Sequence, residues 1–261
     1  MTHTRDIRSS GAAASGLPAA LAARVRRWSA AVVAANVVFV AAWLVAGSWQ
    51  GPRYSLLADS ISDMYANGAP NAAFLIVVIT LCGAVVLLFA WLALWPSLRR
   101  AGRPAAVGAA LLAVSILGLG DLLTPFERGA CTLARTGCTS SAQLANVGGL
   151  FDAVLSTAGV VALVGAGGFL AAAMASLPEW RGWVRPTRQA TGVILVLLAA
   201  DGLSGSAGLS GLFERMLALA AAASVAALGV GVWRHTRPAA TAPQAPAGAP
   251  HRPSPSQPRG R

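Results

Sequence analysis

The chain has 261 residues, 56% of them hydrophobic and 11% charged, with a formal net charge of +11 and a mean hydropathy of +0.62. A soluble domain carries roughly 25% charged residues to keep its surface in water, so this composition excludes an ordinary soluble globule and makes lipid the expected solvent. All twenty basic side chains are arginine, which with the alanine content points to a GC-rich bacterial source.

Residues 1–27 are rich in Ala, Ser and Gly and include Arg5, Arg8, Arg24, Arg26 and Arg27; a flexible basic tail is expected. The first apolar run follows, near 29–49. Its basic lead-in and Ala46-Gly47-Ser48 faintly resemble a signal peptide. The run is nevertheless longer than the usual apolar core of about 7–15 residues, so it reads as a retained span. Five more runs, near 72–95, 105–124, 147–174, 189–209 and 213–233, also reach the roughly 20 residues that a helix needs to cross a bilayer. The runs are continuous rather than alternating, and helices satisfy their own backbone in lipid. The expected fold is therefore all-α: a polytopic membrane protein with six transmembrane helices in a bundle, filling a domain over 28–235. Residues 236–261 are Pro/Ala-rich and read as a disordered tail.

Between the first two runs lies RYSLLADSISDMYANGAP, residues 53–70. Asp59, Asp63 and Asn67 recur every four residues, which on a helix stacks them on one face. Leu56, Leu57, Ile61, Met64 and Tyr65 fall largely on another, so a short amphipathic helix at the interface is expected. Asn67-Gly68 followed by Pro70 reads as a turn. A solvated loop with ordinary surface acids is the alternative. In the second connector Cys131 and Cys138 bracket TLARTG, a spacing compatible with a disulfide in an oxidising compartment. Cys82, inside the second run, reads as a small core residue.

Orientation follows from arginine. With both termini cytoplasmic, sixteen of the twenty arginines fall on the inner side; only Arg53, Arg128, Arg135 and Arg215 fall outside. That is the positive-inside pattern, and it places the chain in the cell membrane. Trp28, Trp91, Trp95, Trp180, Trp183 and Trp233 all fall near the inner interface. Basic residues spread over every inner loop speak for lipid contact and against nucleic acid. The acids show the reverse bias. Asp59, Asp63, Asp121, Glu127, Asp152, Asp201 and Glu214 lie at or near the outer side, leaving it at −3 against +14 inside.

Several of these acids stand within apolar runs, where ionisable groups are costly and rarely face lipid. Asp201 lies about 20 Å above the inner boundary at 1.5 Å per residue, in a stretch with Gly202, Gly205, Gly208 and Gly211 at intervals of three. Asp152 sits just inside the fourth run, Asp121 ends the third, and Glu214 and Arg215 open the sixth. Two readings stay open. In one, these residues line a polar outward pocket. In the other, Asp201 or Asp152 pairs with Arg215 or Arg53 to pin helix ends. The ligand-binding candidates are Arg53, Tyr54, Asp59, Asp63, Asp121, Asp152, Asp201, Glu214 and Arg215, and the disulfide candidates are Cys131 and Cys138.

Only His3, His235 and His251 are present, and none lies inside a run. Bis-histidine haem ligation and multi-histidine zinc sites are thereby excluded. No serine elbow, zincin or nucleotide-loop motif occurs. No metal, cofactor or catalytic residue is expected.

The pattern Tyr54-Ser55-Leu56, Asp59-Ser60-Ile61-Ser62 and Gly68-Ala69-Pro70 resembles the integral membrane family catalogued as domain of unknown function 998. So do the Cys131/Cys138 loop, the Asp152-Ala153-Val154-Leu155-Ser156-Thr157 stretch and Gly211-Leu212-Phe213-Glu214-Arg215. The likeness covers about residues 28–233 and implies six spans with an outer polar cluster. Family members often carry a histidine before the fourth-span aspartate, where this chain has Phe151. The resemblance implies no activity.

Three functions fit. The first is binding of a lipid head group or small polar ligand at an acidic outer pocket, or an accessory membrane role. The second is a proton-coupled carrier using intramembrane aspartates. The third, an enzyme using carboxylates on lipid-linked substrates, is weakened by the lack of a nucleophile motif. Membrane lipids are the expected partners; the sequence leaves oligomeric state open.

Overall fold

The structure, a computed structural model, describes residues 18–204 and 207–236. The tails 1–17 and 237–261 lie outside the described residues, as do Gly205 and Ser206 of the glycine-spaced stretch. Among the described residues six long helices form: α1 (Ala19–Gly47), α2 (Ala72–Ala101), α3 (Arg103–Phe126), α4 (Val147–Ala175), α5 (Arg181–Ser204) and α6 (Ser210–His235). No strand occurs among the described residues. α1 begins at Ala19, so residues 19–27 are helical rather than part of the flexible tail expected over 1–27, and Val25 is wholly buried. Leucine and alanine carry the helix back through the arginines, which lose little rotamer freedom there.

Each helix packs on the next, and α6 closes the ring against α1. Small residues set the close approaches between neighbours, as is usual where lipid supplies no hydrophobic drive. The outer wall of the ring is apolar and unburied: Val196 is 67% and Leu203 82% exposed. Exposed apolar surface on this scale marks contact with another apolar phase. One end of the ring carries the connectors around 48–71 and 127–146. At the other end lie Arg99, Arg100 and Arg181, and there the His235 ring stacks on Trp180 at 4.0 Å. We call these the acidic and basic ends.

Five of the six helices, all but α5, are long and apolar enough to cross a membrane. α5 has the length, but Arg181, Arg185 and Arg188 at its start and Asp201 near its end shorten its apolar stretch. Each such charge is expensive at membrane depth, by about 2.5–3.5 kcal/mol on insertion scales.

Two helices are irregular, each for a local reason. In α2 the residues Ala90–Leu94 form a π turn just before Pro96; proline donates no hydrogen bond and its ring would meet the carbonyl four residues back. α3 breaks at Ser115, whose backbone is extended (φ −67°, ψ 172°). The Ser115 hydroxyl turns back to the Leu112 carbonyl at 2.8 Å, and the Ser115 carbonyl accepts from Gly118 and Gly120 at 3.0 and 3.1 Å. The segment Ile116–Gly120 then continues as a π turn. Neighbouring glycines clamp this break. A Cβ on Gly83 of α2 would lie 2.4 Å from the Leu122 nitrogen, and one on Gly159 of α4 would lie 2.7 Å from the Ile116 nitrogen.

The clamp yields a test. Gly83→Ala drives a methyl group into backbone that cannot rotate away, and should lower stability by about 1–3 kcal/mol. Gly168→Ala, which meets open space within α4, should not lower it, since alanine is the better helix former. Thermal unfolding of both variants in detergent checks this, and equal melting temperatures would refute the clamp.

Candidate functional site

The first connector is not the amphipathic helix that its spacing predicts. It runs as successive turns with a single 3₁₀ turn at Ser62–Tyr65. Local side chains capture the backbone bonds that a helix would need, as serine and aspartate often do. The Asp59 carboxylate accepts from the Ser55 amide at 2.7 Å, and the Ser55 hydroxyl accepts from the Leu57 and Ala58 amides. The carbonyls left over find partners on α6. The Arg215 Nη1 faces the carbonyl oxygens of Leu56, Asp59 and Gly211 at 2.7–2.8 Å, and its Nη2 donates to the Tyr54 hydroxyl. The Tyr54 hydroxyl donates in turn to the Ser60 carbonyl at 3.1 Å. Leu212 donates its amide to the Leu57 carbonyl at 3.0 Å, and the Ile61 amide donates to Glu214 Oε1 at 3.1 Å.

The second connector hangs on Asp63, which is wholly buried. Its carboxylate accepts from the Thr132 hydroxyl and the Leu133 amide at 2.6 Å, and from the Gln143 side-chain amide at 2.8 Å. Burial raises the Asp63 pKa, and the bonds from Thr132 and Leu133 oppose that rise. Cys131 and Cys138 are joined by a disulfide. Arg53 donates to the Thr136 hydroxyl, Arg128 donates to the Tyr65 carbonyl at 3.1 Å, and the Asn67 amide to the Gly129 carbonyl at 3.0 Å. The two connectors thus form one polar cap over the acidic end.

Beneath the cap, inside the ring, is a cavity of about 300 Å³ lined by residues of all six helices. Asp121 of α3, Asp152 of α4, Asp201 of α5 and Glu214 of α6 face it, one carboxylate from each of four successive helices. The cap contributes Ser60, Ile61, Ser62 and Tyr65, and the Tyr65 hydroxyl donates to Asp152 at 3.3 Å. Phe39, Ile79, Val160, Leu163 and Leu217 make the remaining walls apolar. Asp121 is only 8% exposed, and its carboxylate has no hydrogen-bond partner among the described residues. Glu127, 2% exposed, stands close by with an unpartnered Oε1. Burial, with the Asp152 charge adding to it, pushes its pKa up to about 8. Burial raises the Tyr54 and Tyr65 phenols too.

The nine candidate side chains therefore separate into two sets. Asp121, Asp152, Asp201 and Glu214 meet at the cavity; Arg53, Tyr54, Asp59, Asp63 and Arg215 build the cap above it. Pairing of Arg215 or Arg53 with Asp201 or Asp152 is not what the geometry shows: the Arg215 donors go to carbonyl oxygens and Tyr54, and Arg53 reaches Thr136. Sequence reasoning passed over Tyr65, Ser156 and Thr157 as lining residues. Ser156 lies four positions beyond Asp152, one helical turn on and therefore on its face, whereas Thr157 falls farther round the helix.

Glu127 carries a pH signature. Its pKa is raised, so the folded chain holds a proton that the unfolded chain has released. That stabilising contribution is complete below about pH 4.5 and is lost as pH rises through about 8. The melting temperature is expected to decline between about pH 4.5 and 8, and Glu127→Gln is expected to flatten the decline. An unchanged slope in the variant would assign it to other groups.

No protein-family model, curated protein or solved structure matches this chain, which leaves its own geometry as the ground for a functional reading.

Proposed function

We propose that this chain is an integral membrane protein of the cell membrane that binds a small polar ligand or lipid head group in the acidic cavity. The observation that carries the reading is the convergence of four carboxylates on one cavity of about 300 Å³, with Asp121 buried and unpartnered at its wall. Pockets of this size with a few convergent polar groups are the usual form of a small-molecule site.

In this reading α5 also crosses the membrane, making six spans, both termini are cytoplasmic, and the acidic end faces outward. The arginines clustered at the basic end support that direction. The resemblance to the domain of unknown function 998 family belongs to the same proposal and agrees with six spans. Leu57 is 52% exposed at the acidic end, and Arg100 is exposed at the basic end. Leu57→Cys should react with a membrane-impermeant maleimide on intact spheroplasts, and Arg100→Cys only after permeabilisation. The opposite labelling would invert the topology.

A carrier is the second reading, favoured by the break at Ser115, because Ile116 and Leu117 just beyond it line the cavity. Interrupted helices beside a midplane site are a common device of carriers. Native mass spectrometry of the purified protein and its Asp201→Asn form tests the binding role. A mass adduct on the parent protein that is weakened in the variant is expected. Two identical bare spectra, with the variant less stable, would recast the acids as structural.

A further inference from the structure

The cavity is selective in charge and in shape, and both properties restrict what it can hold. Four carboxylates line it and no arginine or histidine does. The four arginines of the acidic end are all engaged elsewhere. Arg215 sits on the carbonyls of the first connector, Arg53 on Thr136 and Arg128 on the Tyr65 carbonyl. Arg135 packs against Gly68 in the cap. A phosphate or carboxylate entering the cavity would thus find no cationic side chain to pair with, and any ionised acid of the lining would repel it.

A positive ligand meets the opposite situation. Asp121 is 8% exposed, lines the cavity and has no hydrogen bond to its carboxylate among the described residues, so its acceptor sites are free for a donor that enters. Serine and threonine hydroxyls at Ser60, Ser156 and Thr157 add further oxygen acceptors on the same lining.

A bare divalent ion is a poor fit. Such an ion gathers six or more oxygens within about 2.6 Å. Among the described residues no three His, Cys, Asp or Glu side chains stand close enough to hold a metal ion. The carboxylates surround a volume rather than a point. They also sit toward one end of it: on α4, Val160 and Leu163 follow Asp152 by eight and eleven residues, about 12 and 16 Å along the helix axis. The far part of the cavity is therefore apolar, with Phe39, Ile79 and Leu217 completing it. At about 30 Å³ for each water-sized group, the space holds a body of roughly ten such groups.

We infer that the cavity takes an amphipathic organic ammonium ion, its cationic nitrogen among Asp121, Asp152, Asp201 and Glu214 and its carbon body against the apolar wall. The inference rests on the binding role proposed above and narrows it: zwitterionic and anionic head groups are excluded, as are neutral apolar guests. The ammonium's three donors satisfy carboxylate and hydroxyl acceptors, while the carbon body covers side chains that would otherwise line empty space.

Three probes of similar body separate these classes: phenethylammonium, phenethyl alcohol and phenylalanine, with calcium as a fourth. Binding to the full chain in detergent is read by thermal shift and by native mass spectrometry. Phenethylammonium should bind saturably, at least about tenfold more tightly than the alcohol or the zwitterion, since hydrogen bonds to charged groups are stronger than neutral ones. Asp121→Asn should abolish that preference. Where Asp121→Asn does not fold, Asp152→Asn carries the comparison. Ser156→Phe, which fills the cavity from α4, should weaken every organic probe.

Equal or tighter binding of the alcohol, the zwitterion or calcium overturns the ammonium class while leaving a ligand site in place. So does the absence of phenethylammonium binding in a protein that still carries an Asp201-dependent adduct. If no probe binds and no adduct exists, the binding role fails together with this inference.

Discussion

The acidic end of this protein is organised by one buried guanidinium. Arg215 lies just inside α6, where it meets three backbone carbonyls and a phenol instead of a carboxylate. A connector packed over a helix ring carries carbonyl groups that neither water nor lipid can satisfy, and each buried acceptor left unmade costs about 1–3 kcal/mol. A guanidinium offers five donors in a rigid fork, so one side chain can serve several carbonyls of a single turn. The connector's path, and with it the positions of Ser60, Ser62 and Tyr65 over the cavity, follows from that attachment. Arg215 is spent on the cap, while the adjacent Glu214 accepts from the Ile61 amide and lines the cavity.

The second constraint lies in α3. A helix interrupted at membrane depth is tolerated only where protein or a wet cavity covers the freed backbone. Here the Ser115 hydroxyl and carbonyl take up local groups, and Gly83 and Gly159 bring the backbones of α2 and α4 against the interruption. The break and the cavity are therefore neighbours for one reason. Glycine contact lets the ring tighten around Ile116–Gly120, and the π turn that follows sets the direction in which Asp121 projects. An unbroken helix would rotate that carboxylate elsewhere on the wheel.

The disulfide and Asp63 complete the frame from the other side. Asp63 joins the 3₁₀ turn of the first connector to Thr132, Leu133 and Gln143 of the second, while the Cys131–Cys138 bond closes a short loop beyond them. Acids of similar appearance in the sequence thus have opposite surroundings. Asp63 has its acceptor sites filled by donors of the protein; Asp121 has none filled. That contrast, rather than the number of acids, distinguishes frame from cavity.

The sequence by itself determined the helices, the apolar exterior and the opposition of a basic and an acidic end. These are local properties: a run of about 20 apolar residues must satisfy its own backbone, and charge bias between loops is read residue by residue. It also brought the nine candidate side chains to one end of the bundle. The tertiary structure alone decided the path of residues 53–70, the interruption at Ser115 and the division of those nine residues between cap and cavity. The physical reason is range. The fate of Asp59 depends on Arg215, more than 150 positions away, and the meeting of Asp121, Asp152, Asp201 and Glu214 depends on the rotation of four helices about their own axes. Packing between helices sets those rotations, and a periodicity within one helix carries no information about them.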